Sequence, residues 1–432
     1  MILQKTRHNK LAMRDMVKLL RQEFANFHDP RAANTVYPLE DVLISAFALF
    51  VFKYPSLLCF EQKSRFVAPN LKRLFRLQNL CSDSQMRRII DEVDPKAILR
   101  CFPKSFEVLE QLKMLRAFLY FKEHFLISID GVHFFHSNKI HCDRCSVTHH
   151  QCGDISFSHS MLAAVLVHPE QKEVFPLAAE AIQKQDGATK NDCELNAAKR
   201  LTQALTQQYP GLSPIILEDA LFANEPHLKQ LIDNGWHFIT SVKPTKHQHL
   251  FKMLETRKKH GKTKHWTFDD GHMIHRFWWS NDLPLNQNGT LRVNFLHYEQ
   301  QDRKGKITKF SWITSFVLRK DNVFKIMRAG RSRWKIENEA FNTLKNQGYH
   351  FDHNFGHGYN QLCNNMALLM LLAFLVDQMI QACSKNFRDI CSAARAKYRV
   401  WEAMRAFFMT TPLQSFDDLM IKIAYMYQVK LE

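Results

Sequence analysis

The chain has 432 residues, of which 46% are hydrophobic and 34 are phenylalanine, so it can bury a large core and is not a disordered polypeptide. Glycine and proline contribute only 13 and 14 residues, which excludes collagen-like and linker-rich classes and indicates long regular elements. The 59 Lys and Arg exceed the 42 Asp and Glu by a net charge of +17. Such an excess favours a polyanionic partner.

The longest apolar runs, around 42–52 and 366–376, are too short to span a membrane and predict buried helices. The first ten residues are basic and lack the apolar segment of a signal peptide. We therefore expect a soluble intracellular protein without a membrane partner. Thiols stay reduced in that compartment, so the ten cysteines do not predict a disulfide framework.

Residues 1–118 combine helical periodicity with basic character, which predicts an N-terminal helical domain. Two interpretations of this segment are open. It could be a small DNA-binding module, or it could be a helical cap that packs on the main domain.

The pattern changes between residues 119 and 244 to three strands, a helix, a strand, a helix and a further strand. Two of the strands end in a carboxylate, at Asp130 and at Asp219. This order predicts an α/β fold that delivers both carboxylates to one edge of a sheet. Residues 245–327, rich in Trp, Phe, Val and Thr, predict a β-rich insertion, and residues 328–432 return to helices that close the core.

The helix that contains RSRWKIENEAF carries two glutamates with different surroundings. At about 100° per residue, Glu337 falls inside the apolar arc of this helix and Glu339 falls outside it, so we expect Glu337 to be buried. A buried carboxylate needs a partner. One explanation is an ion pair with Arg333, one turn earlier, and nothing more. The other is that Glu337 joins Asp130 and Asp219 around hard divalent cations, which prefer oxygen ligands.

Three motifs, SIDG around Asp130, LEDALFAN around Asp219 and RWKIE around Glu337, resemble the acidic motifs of the DDE transposases encoded by bacterial insertion sequences. The closest resemblance is to the subgroup whose last motif is Tyr-Arg-Glu-Lys, and it covers roughly residues 120–360. It implies a ribonuclease-H-like catalytic core with a β-rich insertion. It also implies that Asp130, Asp219 and Glu337 are catalytic and hold two Mg²⁺ or Mn²⁺ ions.

The edges of the last motif depart from the subgroup. Gly330 occupies the position expected to hold Tyr, and Leu344 occupies the Lys position, with Lys345 one residue late. Arg333 matches the motif, and we expect Arg333 and Lys345 to contact DNA phosphates.

The resemblance implies cleavage at the ends of a mobile DNA element, followed by strand transfer of the 3′-hydroxyl into target DNA. The partners would be DNA and further copies of the chain, as a homodimer or a larger synaptic assembly, in the bacterial cytoplasm at the nucleoid. The alternative is a DNA-binding or regulatory protein on a transposase fold that has lost its chemistry.

A second group of residues, Cys142, Cys145, His150 and Cys152, has part of the spacing of a zinc site. The spacing of a zinc knuckle would place the fourth ligand at Ile155, so Cys152 could serve only through a tight loop. Structural zinc is one interpretation, and reduced thiols in a loop beside the Asp130 strand are the other. A zinc-dependent structural protein would explain the cysteines but not a buried Glu337.

Overall fold

A computed structural model of the protein describes residues 11–32, 35–184, 190–287 and 289–431. The first ten residues, for which we predicted no signal peptide, lie outside the described residues. Within the described part of the chain, eleven strands form one mixed sheet that is covered by helices. The predicted α/β class is confirmed.

The segment before the sheet is helical. It contains α1 (Met13–Ala25), α2 (Leu39–Val51), α3 (Leu57–Phe75), α4 (Asp83–Asp91), α5 (Pro95–Leu99), α6 (Cys101–Gln111) and a short 3₁₀ turn (Met114–Phe118). Ser56, Ser82 and Asp94 cap α3, α4 and α5 by accepting backbone N–H bonds, as polar residues at helix starts do. Helix α2 is buried along nearly its whole length, which explains its continuous apolar sequence.

The core of the sheet contains seven strands and two helices. In chain order they are β1 (Leu119–Tyr120), β2 (His124–Ser137), β3 (Ser146–His149), β4 (Ile155–Val167), β5 (Phe175–Ile182), α7 (Glu194–Gln208), β6 (Pro214–Glu218), α8 (Glu225–Asp233) and β7 (His237–Ser241). Apart from the short β1 and β3, this is the predicted order of three strands, helix, strand, helix and strand.

The central strands run in the order β5-β4-β2-β6-β7. Strands β2, β4 and β5 pair antiparallel, whereas β6 is parallel to both β2 and β7. All five residues of β6 are buried, as expected for a parallel strand covered on both faces. This mixed topology is consistent with the ribonuclease-H-like core that the sequence resemblance implies.

The sheet continues beyond β7 through the segment that was predicted to be a β-rich insertion. It contains α9 (Gln248–Lys259), β8 (Lys264–Asp269), β9 (Met273–Pro284), β10 (Arg292–Asp302) and β11 (Ile307–Thr314). Strand β11 pairs antiparallel with β7, so these strands extend the core sheet at its edge instead of forming a separate one.

Helices complete the chain after β11. They are α10 (Val323–Ser332), a π-helical segment (Ile336–Phe341), α11 (Asn342–Asn346), α12 (Leu362–Cys383), α13 (Lys385–Ala394), α14 (Lys397–Thr410) and α15 (Phe416–Met426). Within the described residues, α12 alone is long and apolar enough to cross a membrane, but 89% of its apolar window is buried in the protein, against α2 among other elements. It is therefore the central core helix, shared by the two ends of the chain.

Candidate active site

Asp130 and Asp219 lie side by side on neighbouring parallel strands. In the register of β2 and β6, Ser128 is paired with Leu217. Asp130 lies two residues further along β2, and Asp219 directly follows the end of β6. Strands in a sheet are about 4.8 Å apart, so the two carboxylates project from adjacent backbone positions where β6 ends. The backbone N–H of Leu221 donates to Oδ1 of Asp219 over 2.7 Å, which fixes that carboxylate at the strand end.

Arg333 connects Asp130 to Glu337. Its Nη1 donates to Oδ2 of Asp130 over 3.0 Å, and its Nη2 donates to Oε1 of Glu337 over 2.6 Å. The backbone of Arg333 is also held, because its carbonyl accepts a 3.0 Å hydrogen bond from Oγ of Ser128 on β2. The helix that carries Glu337 is thereby attached to the strand that carries Asp130.

Glu337 is not buried, contrary to the prediction from helical periodicity. Its side chain is 48% exposed, whereas that of Arg333 is 10% exposed. The prediction assumed a regular α-helix, but residues 336–341 form a π-helical turn. Such turns, often found at functional sites, change the angular position of each side chain. Ile336, Ala340 and Phe341 take the buried positions. The ion pair that the sequence left open does form, with Asp130 as a third member.

The electrostatics around Asp130 favour its protonated form in the absence of a further cation. Burial, together with the hydrogen bond and negative charge of Glu337, raises the pKa of Asp130 to about 7, although the positive charge of Arg333 opposes this shift. One guanidinium therefore does not fully offset two adjacent carboxylates, and the site has a deficit of positive charge.

Glu194, at the start of α7, is a fourth carboxylate that our sequence analysis did not identify. A Cβ atom at Gly131 would overlap its carboxylate, so Glu194 lies directly against the backbone beside Asp130. Burial and the negative charge of Asp219 raise the pKa of Glu194. The signal was present in the sequence: Glu194 precedes the buried Ala197 and Ala198 by three and four residues, on the same helix face.

At the two edges of the last motif, Gly330 and Leu344 are packed in the protein and Lys345 forms a local ion pair. Gly330 lies under Trp312, and a Cβ atom at this position would be 2.7 Å from the indole ring, so there is no room for the Tyr of the subgroup. Leu344 is fully buried. Lys345, which we expected to bind DNA phosphate, has its Nζ 3.1 Å from Oδ1 of Asp352.

The cysteine and histidine residues are arranged differently from the predicted zinc site. His150 forms a 2.8 Å hydrogen bond through Nε2 with Oγ of Ser156, and Cys152 is exposed with its Sγ 3.4 Å from Asp154. Neither residue belongs to the group formed by Cys142 and Cys145. The other two members of that group are His159 and His357.

The structure places Asp130 and Asp219 at neighbouring positions of adjacent parallel strands and links Glu337 to Asp130 through Arg333. The catalytic role of these three residues stays a prediction. The chain belongs to the family described as Transposase DDE domain, whose model matches residues 157–375, just over half of the chain. The match includes Asp219 and Glu337 and begins after Asp130. No curated protein matches the chain.

Proposed function

We propose that this transposase cleaves the ends of a mobile DNA element in a metal-dependent reaction and joins them to target DNA. The observation that supports this most directly is that two carboxylates from distant parts of the chain lie near Asp130, that of Asp219 after the adjacent strand and that of Glu337 through their shared partner Arg333. Such grouping carries an electrostatic cost, and a structural role alone gives no reason to accept it.

The donor set is suitable for Mg²⁺ or Mn²⁺. All the donors are carboxylate oxygens, which these hard cations prefer, and the side chains of Asp130 and Glu337 are 20% and 48% exposed, so the site is open to ions and DNA. Burial is the largest cause of the raised pKa of Asp130, and a bound cation would favour the charged form of this carboxyl. Bound cations would activate the attacking water or 3′-hydroxyl and stabilise the leaving oxygen.

The protein's own residues would position the three carboxylates and the DNA phosphate. Asp130 and Asp219 are fixed on the sheet, and Arg333 holds Glu337 near them. We propose that the guanidinium of Arg333, once its carboxylates bind cations, contacts a DNA phosphate, for which its planar fork is suited. Lys345 would have to leave Asp352 to do the same. Glu194 would support the site from the Gly131 side.

The likeness to the Tyr-Arg-Glu-Lys subgroup rests on Arg333 and Glu337. We propose that the chain is a variant of that subgroup in which Trp312 takes the space of the missing Tyr above Gly330. We also propose that residues 119–244 and 328–432 form the catalytic core, that residues 245–327 are its insertion, and that residues 1–118 are its helical partner. The net charge of +17 suits a homodimer or larger assembly wrapped around element ends and target DNA in the bacterial cytoplasm.

The direct test is DNA cleavage by purified protein with Mg²⁺ or Mn²⁺, using as substrate the sequences that flank its own reading frame. Asp219→Asn should reduce nicking at least about 100-fold, because it replaces a charged carboxylate that would bind the metal by a neutral amide. The exposed Glu339→Gln, on the same helix as Glu337, is the matched control and should cleave normally. Unchanged cleavage by Asp219→Asn would contradict the catalytic assignment.

DNA binding is measured separately, by gel shift over a range of salt concentrations. Affinity of the wild type and of Asp219→Asn should fall steeply with salt, because many phosphates are neutralised. Salt-sensitive binding without any cleavage by the wild type would favour the alternative, a regulatory protein that has lost its chemistry. Binding that does not respond to salt would contradict nucleic acid as the partner.

A further inference from the structure

We propose that Cys142, Cys145, His159 and His357 form a tetrahedral Zn²⁺ site with a structural role. The proposal is independent of the catalytic function, because none of the four residues belongs to the carboxylate site. Two thiolates and two imidazoles are a donor set typical of structural zinc.

The distances between the donor atoms match the edges of a zinc tetrahedron. With Zn–S bonds of about 2.3 Å and Zn–N bonds of about 2.0–2.1 Å, the S–S, S–N and N–N edges should be about 3.8, 3.6 and 3.3 Å. The observed S–S distance is 3.9 Å, and the N–N distance is 3.2 Å. Three S–N distances are 3.7, 3.3 and 3.3 Å, and all four donor atoms lie within 4.8 Å of one another.

Three of the ligands come from the first strands of the core. Cys142 and Cys145 lie on a turn between β2 and β3, closed by a 3.2 Å bond from the Cys145 N–H to the Cys142 carbonyl. His159 lies on β4, where it is paired with Phe135 of β2. The Sγ–Sγ separation is far longer than the roughly 2.05 Å of a disulfide, so the two cysteines are arranged as separate donors.

The fourth ligand comes from the segment between α11 and α12. Nδ1 of His357 donates to the carbonyl of Gly358 over 2.8 Å, which leaves Nε2 with its lone pair directed at the other three donors. Metal-binding histidines are commonly oriented by such a bond. The segment itself is anchored by Asp91, whose carboxylate accepts the backbone N–H groups of residues 359–362.

Three of the four donors are buried among apolar side chains, and Cys142 is partly exposed. Cys145, His159 and His357 are 0%, 2% and 7% exposed, and the rings of Phe134 and Phe135 contact the two imidazoles. The two imidazole Nε2 atoms are 3.2 Å apart, so a direct hydrogen bond between them requires one of them to carry a proton, whereas a metal ion accepts both lone pairs. A cation at their centre would satisfy all four donors together.

The position of the site indicates what the metal would do. His159 and His357 are 198 residues apart in the chain. The metal would link β2 and β4 to the segment that follows the Glu337 helix. Because β2 also carries Asp130, a zinc ion would fix the strand of one proposed catalytic acid relative to the helix of another.

Metal analysis of the purified full-length chain tests the proposal. Elemental analysis should find one zinc per chain, and Co²⁺ exchanged into the site should give the intense visible spectrum of a tetrahedral thiolate complex. His159→Ala should lose the metal. His150→Ala and Cys152→Ser, which alter neighbouring residues outside the group, should keep it. His357→Cys, which replaces one zinc donor by another, should retain zinc and shift the cobalt spectrum.

If His159→Ala does not fold, the His357→Cys variant still tests the site, because it exchanges one zinc donor for another. An unchanged cobalt spectrum in His357→Cys would overturn the assignment of that ligand. Wild-type protein without zinc that fails to take up Co²⁺, or that contains a Cys142–Cys145 disulfide by mass spectrometry, would overturn the site itself. If His150→Ala lost zinc to the same extent as His159→Ala, the proposed set of ligands would be wrong.

Discussion

Arg333 and Asp130 are 203 residues apart in the chain, yet Nη1 of the arginine donates to Oδ2 of the aspartate over 3.0 Å. The same guanidinium holds Glu337 through its other terminal nitrogen. Arg333 therefore offsets part of the negative charge of these two carboxylates.

Replacement of Arg333 by Met should destabilise the protein and increase its response to Mn²⁺. The loss of the partly buried pair with Asp130 should cost about 3 kcal/mol in buffer without added divalent cations. Added Mn²⁺ should raise the melting temperature more in the variant than in the wild type, because the carboxylates then have no other cation. Differential scanning fluorimetry checks this. Arg331→Met, which alters an exposed arginine bonded to Gln300, is the control, and an equal Mn²⁺ response in both variants would be inconsistent with the proposed role.

Glu194→Gln should weaken the apparent affinity for Mn²⁺ in DNA cleavage. Its carboxylate lies against Gly131, and the charge of Asp219 raises its pKa, so it contributes to the field at the site. Supporting residues of metal sites commonly change affinity by about 10- to 100-fold. The Mn²⁺ concentration for half-maximal cleavage should rise by that factor, with DNA binding unchanged. Glu339→Gln serves again as the control, and an unaltered Mn²⁺ requirement in Glu194→Gln would exclude the role.

The buried pair of His227 and Glu218 should make stability depend on pH. Burial lowers the pKa of His227, but the charge and hydrogen bond of Glu218, 2.7 Å away, outweigh burial and raise it. A raised histidine pKa stabilises the fold fully below the unfolded value of about 6.5, and this contribution is lost as pH rises through the folded pKa.

The measurement is urea unfolding of the wild type and of His227→Leu between about pH 5 and pH 9. Near pH 7 the variant should lose about 3–5 kcal/mol, because it leaves a buried carboxylate unpaired. Glu218→Leu combined with His227→Leu should recover most of this loss. The stability of the wild type relative to this double variant, which lacks both titrating groups, should fall as pH rises through the folded pKa of His227. A difference that grows with rising pH would show that the sign is wrong.

Gly330→Ala should destabilise the protein through Trp312. A methyl group at this position would lie 2.7 Å from the indole, and such overpacking typically costs about 1–3 kcal/mol. In a Trp312→Ala background the same change should be neutral or stabilising by up to about 1 kcal/mol, because Ala is the better helix former. The free energy of unfolding is measured by chemical denaturation. If Gly330→Ala reduced it equally in the wild type and in Trp312→Ala, the effect would come from the backbone and not from the indole.

Residues 119–432 should not fold without the N-terminal helices. Lys53 has a fully buried side chain that forms an ion pair with Asp377 of α12, and its Nζ lies 3.9 Å from the centre of the Trp401 ring. Removal of residues 1–118 would leave Asp377 unpaired and expose the face of α12 that α2 covers. The fragment should lack cooperative thermal unfolding, and co-expression with residues 1–118 should restore it. A stable, cooperatively folding fragment would show that the N-terminal helices form an independent domain.

The sequence by itself determined the order of the core elements and the meeting of Asp130 with Asp219. Strands and helices follow from local apolar periodicity, and the parallel pairing of β2 with β6 puts Asp130 and Asp219 at neighbouring positions. The predicted strand end at Asp130 was wrong, because β2 continues to Ser137 in its antiparallel pairing with β4. The basic charge was also available from composition alone.

Only the tertiary structure decided how the remaining groups are used. The π-helical turn exposes Glu337, and the ideal helical rotation could not reveal it. Packing of α7 on β5 and β4 brings the carboxylate of Glu194 against Gly131, beside Asp130. His357 joins Cys142 because a loop anchored by Asp91 reaches the first strands. Local periodicity determines on which side of its own helix or strand a side chain lies. The packing of elements far apart in the chain determines which residues that side chain contacts.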